Sequence, residues 1–384
     1  MTQTKNISST DSAAAAAPPR VLFAAGGTGG HVYPAIAIAD EVMKSRPDAA
    51  VLFVGTRDRM EWETVPKAGF KIKSVWISGF HRRLTPQNLL FPFKLITSLI
   101  QSFFILMRFK PQVVVACGGF AAGPIGWVAA KMGIPIVVQE QNSYPGVTNR
   151  LLAKNAKAIF TAFDAAAEFL PKEKIRLTGN PIRSELKLSN KKEALNTFDL
   201  EVDKPVLLVL GGSGGALALN DAVKKFLRIF HDDMEIQLIW QCGAKYYDDL
   251  ASEIDLEQYP SVKLTKYIDD MSAAYSAADL VLTRAGAGTC SELMNIGKPA
   301  IFVPSPNVAG DHQTKNANSM TKNGAAELLA EKDLEDQLIP ILEKVIFDED
   351  RLAKMSSSMK DLSKPNAARD IAQEIFNIIE TNRK

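Results

Sequence analysis

Cysteine and histidine are scarce in this chain of 384 residues, which has three cysteines (Cys117, Cys242 and Cys290) and four histidines, at 31, 81, 231 and 312. The cysteines form no CxxC pair, which excludes a disulfide framework and a structural zinc site and suits a reducing compartment. No HExxH or similar spacing links the histidines, so a protein-built metal site is not expected. Long apolar runs are missing too. The uncharged run Leu95–Met107 has 13 residues, against the about 20 that a spanning helix needs, so integral membrane insertion is not expected. The opening MTQTKNISSTDSAAAAAPPR lacks the continuous apolar core of a signal peptide, and Pro18-Pro19 breaks helix there. Residues 1–19 read as a low-complexity tail.

Acid is absent from one long window. Between Thr64 and Gln139 there is no Asp or Glu, while Lys67, Lys71, Lys73, Arg82, Arg83, Lys94, Arg108, Lys110 and Lys131 give nine positive charges. The net charge of the whole chain is +2, so the remainder carries −7. A solvated surface mixes signs, and a one-signed window points to an anionic partner: nucleic acid, anionic lipid or pyrophosphate. Hydrophobic residues at 46% and charged residues at 23% give a globular balance, and the length calls for two domains.

From Val21 onward, β-branched apolar runs alternate with helical patterns. The periodicity predicts strands at Val21–Ala25, Val51–Val54, Ile72–Trp76, Val113–Ala116 and Pro135–Gln139. It predicts helices at His31–Lys44, Met60–Ala68, within Pro86–Phe109, and at Gly123–Met132. Such alternation implies parallel strands joined by right-handed crossovers. The pattern then restarts: Val21–Val42 resembles Val206–Leu227 at an offset of 185 residues, each copy a strand, a GGxGG turn and an amphipathic helix. Two copies half a chain apart indicate an α/β protein of two Rossmann-like, doubly wound domains facing a central cleft. The expected division is 20–190, 191–363 and a C-terminal helix within 364–384 that packs back on the first domain.

A glycine turn between strand and helix brings backbone N–H groups and the positive end of the helix dipole to an anion. Gly26–Gly30 and Gly211–Gly215 both qualify, each with a hydroxyl at the same place, Thr28 or Ser213; Gly118-Gly119-Phe120 is a third such turn. Neither matched copy is the GxGxxG dinucleotide fingerprint, since Val32 and Leu217 stand at its last glycine, and GxxxxGK[ST] is absent. A fourth constellation runs from Arg284 to Glu292. There Glu292 either accepts from ribose hydroxyls or, in Thr289-Cys-Ser-Glu292, serves a capping box. Asp311–Asn316 reads as an N-capped helix start or as a polar cluster that grips a sugar.

The motifs GGTGGHVYPAIAIA, GGFAAGP, EQNSYPGVTN, GNPIR, GGSGGA, YIDDM, AGAGTCSE and DHQTKNA, in this order, resemble the MurG family from about Arg20 to the C-terminus. These are GT-B enzymes, the UDP-N-acetylglucosamine:lipid I N-acetylglucosaminyltransferases of peptidoglycan synthesis. One departure is Gly214, where the family commonly has Gln. The resemblance implies that the second domain holds the donor UDP-N-acetylglucosamine and the first the lipid I acceptor. Carried over, Ile268 receives the uracil through its backbone, Glu292 takes the ribose hydroxyls, and Ser213 holds the diphosphate beside Arg183. Ala287, Gly288, Thr289, Cys290, Ser291 and Gln313 contact the sugar, and Thr28, Gly29, Gly30 and Asn142 complete the pocket from the opposite side.

The implied reaction is inverting transfer to the C4 hydroxyl of the acceptor sugar, giving lipid II, with no cofactor and no metal. His31, just after the first turn, is the expected base, an imidazole with an ordinary pKa of about 6.5. The basic window and the helix inside it suggest docking on the anionic cytoplasmic face of the inner membrane, through Phe80, Arg82, Arg83, Phe93, Lys94, Ile96, Ile100 and Phe104. Nucleic acid is not expected as a partner; other cell-wall synthesis proteins are. Two other readings stand beside the transferase: a UDP-sugar 2-epimerase of the same fold, and a non-catalytic membrane-recruitment subunit.

Overall fold

A computed structural model of the chain describes residues 17–79, 90–182, 186–212, 214–229 and 235–382. The tail expected at 1–19 falls outside them up to residue 16.

Two parallel sheets carry the fold. The first comprises Arg20–Ala25 (β1), Ala50–Gly55 (β2), Lys71–Ser74 (β3), Val113–Gly118 (β4), Ile136–Glu140 (β5), Ala158–Thr161 (β6) and Ile175–Leu177 (β7), in the order β3-β2-β1-β4-β5-β6-β7. The second comprises Val206–Leu210 (β8), Gln237–Gln241 (β9), Val262–Thr265 (β10), Leu280–Thr283 (β11), Ala300–Phe302 (β12) and Ala326–Leu328 (β13), in the order β10-β9-β8-β11-β12-β13. In each sheet the chain starts at the centre, builds one wing and returns to build the other. The order therefore reverses beside β1 and beside β8, which is where a doubly wound sheet opens a crevice at its carboxyl edge.

The residues explain the layers. Side chains alternate across a strand, so Val21 and Phe23 join the core under the helix Gly29–Ser45, while Leu22 and Ala24 join the core under the helix Ala122–Lys131. β4 and β8 are buried along their whole length, hence runs such as VVVACG and VLLVL rather than apolar–polar alternation. The predicted helices and strands fall within a few residues of the observed ones. The Pro86–Phe109 reading resolves to a helix at Phe91–Phe109; β6, β7, β9, β10, β12 and β13 are additions that periodicity did not single out.

The last helix, Ala367–Thr381, sets Ile371, Ile375 and Ile379 against Val32 and Val42 of the first domain's core. The helix Lys191–Thr197 packs Ala194 and Leu195 into the second domain's core. The chain thus crosses between domains on two adjacent segments. Where they meet, a Cβ on Gly179 (φ +86°) would lie 2.3 Å from the Cβ of Lys364.

Candidate functional site in the cleft

The first glycine turn is built around a buried carboxylate. Glu61, 1% exposed, accepts from Gly27 N–H at 3.0 Å, from Thr56 N–H at 3.0 Å and from Thr56 Oγ1 at 2.8 Å. Its side chain occupies the space a Cβ would need at Gly26 and at Gly55, each 2.5 Å from a Glu61 atom. Gly119 packs equally tightly, since a Cβ there would lie 2.1 Å from the carbonyl oxygen of Gly26. The first and third glycine turns are therefore one backbone-on-backbone assembly, braced from behind by Glu61. No sequence signal singles out Glu61, because the contact is tertiary.

His31 stands on this platform. Thr28 Oγ1 lies 3.1 Å from Nδ1, and the ring rests where a Cβ on Gly118 (φ +102°) would be 2.5 Å from its Cδ2. Enclosure of the ring pushes its pKa down to about 4; a hydrogen bond to the Gly26 backbone and the Glu61 carboxylate oppose the shift, and His312 of the second domain adds to it. The imidazole is thus neutral at pH 7 but well below the ordinary value expected for it. His312, within the Asp311–Asn316 cluster, is thus close enough to act on His31.

Across the cleft, the loop after β5 meets the helix His312–Thr321. Glu140, buried, accepts from Asn142 N–H and Gly146 N–H at 2.9 and 3.0 Å and from Asn149 Nδ2 at 2.9 Å. Burial raises its pKa, and those bonds oppose the rise. Asn316, fully buried, accepts from Ser143 N–H at 2.9 Å and donates through Nδ2 to Ala285 O at 3.2 Å and Asn142 Oδ1 at 3.4 Å. Asn142 therefore reaches the second domain.

In the second domain the helix Ala287–Ile296 begins at the N-cap Gly286, with no side-chain cap. The capping box at Thr289–Glu292 is therefore not formed, because both residues already lie inside the helix. Glu292 instead accepts from Tyr275 OH at 2.9 Å through Oε2. Cys290 and Ser291 are a correction to the expected sugar contacts. Cys290 is buried in the core, and Ser291 is buried with its hydroxyl donated to Ala287 O at 2.8 Å, so neither side chain reaches the cleft. Cys290 N–H is also spent on Gly286 O. The unspent donors of this helix start are the N–H groups of Ala287, Gly288 and Thr289. Gln313 accepts from Ser305 N–H at 2.8 Å, and Ile268 packs against the core beside Asp270, which caps the next helix through Ala273 N–H. Asp311 is in the left-handed region (φ 53°) and takes the Thr314 hydroxyl at 2.7 Å rather than capping by its side chain. Arg183 and Ser213 lie outside the described residues. Groups of three or more potential metal ligands are absent among the described residues.

The helix Phe91–Phe109 is inverted. Its buried residues are Ser98, Ser102 and Leu106, and the two hydroxyls bond within the helix, Ser98 to Leu95 O and Ser102 to Ser98 O. Phe93 at 66%, Ile96 at 57%, Ile100 at 53% and Phe104 at 65% are exposed. At 19 residues the helix is long and apolar enough, by length and composition, to cross a membrane, which the run of 13 uncharged residues did not suggest. Leu106 nonetheless ties it to the core of the first domain. Lys94 departs from the exposed stripe: its ammonium donates to Ser78 Oγ at 2.9 Å and lies over Trp76. Phe80, Arg82 and Arg83 lie outside the described residues.

Comparison with known proteins adds relatives to this geometry. Residues 21–161 match the glycosyltransferase family 28 N-terminal domain, and residues 206–375 the glycosyltransferase family 28 C-terminal domain. A UDP-N-acetylglucosamine–N-acetylmuramyl-(pentapeptide) pyrophosphoryl-undecaprenol N-acetylglucosamine transferase of Christiangramia forsetii is 46% identical, over 94% of this chain and 98% of the relative. One from Flavobacterium psychrophilum is 44% identical, over 95% and 99%. The crystal structure of Acinetobacter baumannii MurG superposes with a TM-score of 0.75 at 28% identity, covering 94% of this chain and all of that one.

Proposed function

Because this chain belongs to glycosyltransferase family 28, and within it to the MurG transferases, we propose that it moves N-acetylglucosamine from UDP-N-acetylglucosamine to the C4 hydroxyl of the N-acetylmuramyl sugar of lipid I, forming lipid II. The observation that carries the reading is His31, a neutral imidazole seated on two interlocked glycine turns, in a chain 46% identical to such a transferase.

The geometry supports a single displacement. The acceptor oxygen attacks the anomeric carbon as its proton passes to His31, directly or through the Thr28 hydroxyl beside Nδ1. The bond from that carbon to the diphosphate breaks, and UDP leaves with the electron pair. Donor contacts fall to Glu292 for the ribose, the Ile268 backbone for the base, and Ser213 with Arg183 for the diphosphate. The backbone start at Ala287–Thr289 and Gln313 serve the sugar, and Thr28, Gly29, Gly30 and Asn142 close the opposite wall. Backbone N–H groups at the helix starts stabilise the charge that builds on the leaving group. The exposed apolar stripe of Phe91–Phe109 supports peripheral docking on an anionic membrane, where the lipid tail of the acceptor lies.

Incubation with labelled UDP-N-acetylglucosamine, with and without a short-chain lipid I analogue, tests the reading. Acceptor-dependent UDP release with a β-linked disaccharide product is expected. An acceptor-independent epimer would mark an epimerase of this fold, and no turnover of either kind a recruitment subunit.

A further inference from the structure

A second pocket opens at the carboxyl edge of the first sheet, apart from the residues assigned above to donor and base. It encloses about 550 Å³ between the ends of β2 and β3 and the helix Phe91–Phe109. Two cations stand in its walls. Arg57 Nε donates to Ser74 Oγ at 3.1 Å, and Lys94 Nζ donates to Ser78 Oγ at 2.9 Å and lies 5.7 Å over the ring of Trp76. Among the described residues no carboxylate pairs with either; Asp58, which also lines the pocket, is 72% exposed and lies 3.9 Å from Arg59. The helix that supplies Lys94 and the strand that ends at Ser74 both come from the acid-free stretch. Each serine hydroxyl already accepts from a cation and keeps its own proton to donate. Concave, cationic and rich in neutral donors, the pocket is complementary to an oxyanion.

Its position narrows the ligand. One wall is Thr56, which shares Glu61 with the turn that carries His31. Another is the helix whose apolar face is exposed. An acceptor that reacts at His31 while its tail lies against that helix carries its charged groups between the two. Resting on the transferase reading above, we propose that this pocket binds an oxyanion of the acceptor. That group is the pyrophosphate joining sugar to lipid or a carboxylate of the peptide, two sources of one chemistry.

The test is the Arg57→Gln/Lys94→Gln double variant, assayed in detergent with three short-chain acceptors: complete, lacking the peptide, and with the pyrophosphate replaced by a neutral linker. KM for the complete acceptor should rise tenfold or more while KM for UDP-N-acetylglucosamine changes less than twofold. The difference between variant and native protein should vanish for whichever acceptor lacks the bound anion, which identifies the source. Arg57→Lys/Lys94→Arg, which keeps both charges, should restore most of the loss. An unchanged KM for the complete acceptor overturns the proposal, as does a rise that persists for both truncated acceptors or that appears equally in donor KM. If the native protein shows no acceptor-dependent UDP release, the transferase reading itself falls, an outcome distinct from a variant that merely equals an active native protein.

Discussion

At the residue scale the proposed base is His31, and its environment sets a pH signature. The ring is enclosed, so its pKa falls to about 4 in the folded protein, against about 6.5 unfolded. Between those values the unfolded chain binds a proton that the native ring does not. The stability this difference supplies is fully present above about pH 6.5 and is lost as pH falls toward 4. With His31 as the base, the same shift should place the acid limb of kcat/KM near pH 4 in the free enzyme. Anionic donor and acceptor packed beside the ring favour the imidazolium, so the limb of kcat should sit higher than that of kcat/KM. His31→Ala should lower kcat by about a hundredfold or more, with donor affinity nearly constant. Rate profiles from pH 4 to 8 check both points; a variant that keeps most of its kcat removes His31 from the base role. Glu292 carries a second residue-scale prediction. With no cap formed at its helix start, Glu292→Gln should weaken UDP binding by about 1–3 kcal/mol, as for a lost charged hydrogen-bond partner. Unchanged UDP affinity by calorimetry would remove it from the ribose.

At the scale of the element, local pattern and tertiary contact divide what could be read beforehand. Strand and helix positions through Gly123–Met132, the repeat of strand, glycine turn and helix, and the apolar stripe of Phe91–Phe109 all follow from periodicity. The Thr289–Glu292 box did not form because Gly286, not a side chain, takes the N-cap. The Glu61 brace had no local signature, since its partners Gly27 and Thr56 come from the ends of other elements. The helix Phe91–Phe109 combines both kinds of information: the sequence shows a wide apolar arc, and only packing shows that its serine side faces the protein. An element turned this way leaves its apolar side exposed, the side that the proposed membrane docking uses. Ile96→Glu/Phe104→Glu adds two charges to exposed positions and so leaves the core intact. The pair should abolish sedimentation with anionic vesicles while turnover on a water-soluble acceptor is retained. Undiminished vesicle binding at low salt would move the docking surface elsewhere.

At the scale of the molecule, two domains meet across a cleft whose walls come from distant parts of the chain. Asn316 is the fully buried joint: it accepts from the Ser143 backbone of the first domain and donates to Ala285 O, directly before the helix start at Gly286. Beside it, Lys315 Nζ lies 3.8 Å over the ring of Tyr144, whose edge packs on Phe169 at 4.8 Å. A Cβ on Gly310 (φ +65°) would be 2.4 Å from the Tyr144 ring. Asn316 thus links the loop after β5 to the turn before the helix Ala287–Ile296. Asn316→Asp keeps the shape but replaces two N–H donors with lone pairs that face Ala285 O and Asn142 Oδ1. Leaving such buried groups unpaired costs about 1–3 kcal/mol each, and the cost falls on the closed arrangement rather than on either core. KM should therefore rise for donor and acceptor together, which neither His31→Ala nor the Arg57/Lys94 variant does. The melting transition should drop or split in two as the domains uncouple, and small-angle scattering should report a larger radius of gyration. A variant with native scattering, one native transition and unaltered KM values would mean that the domains hold their spacing without Asn316.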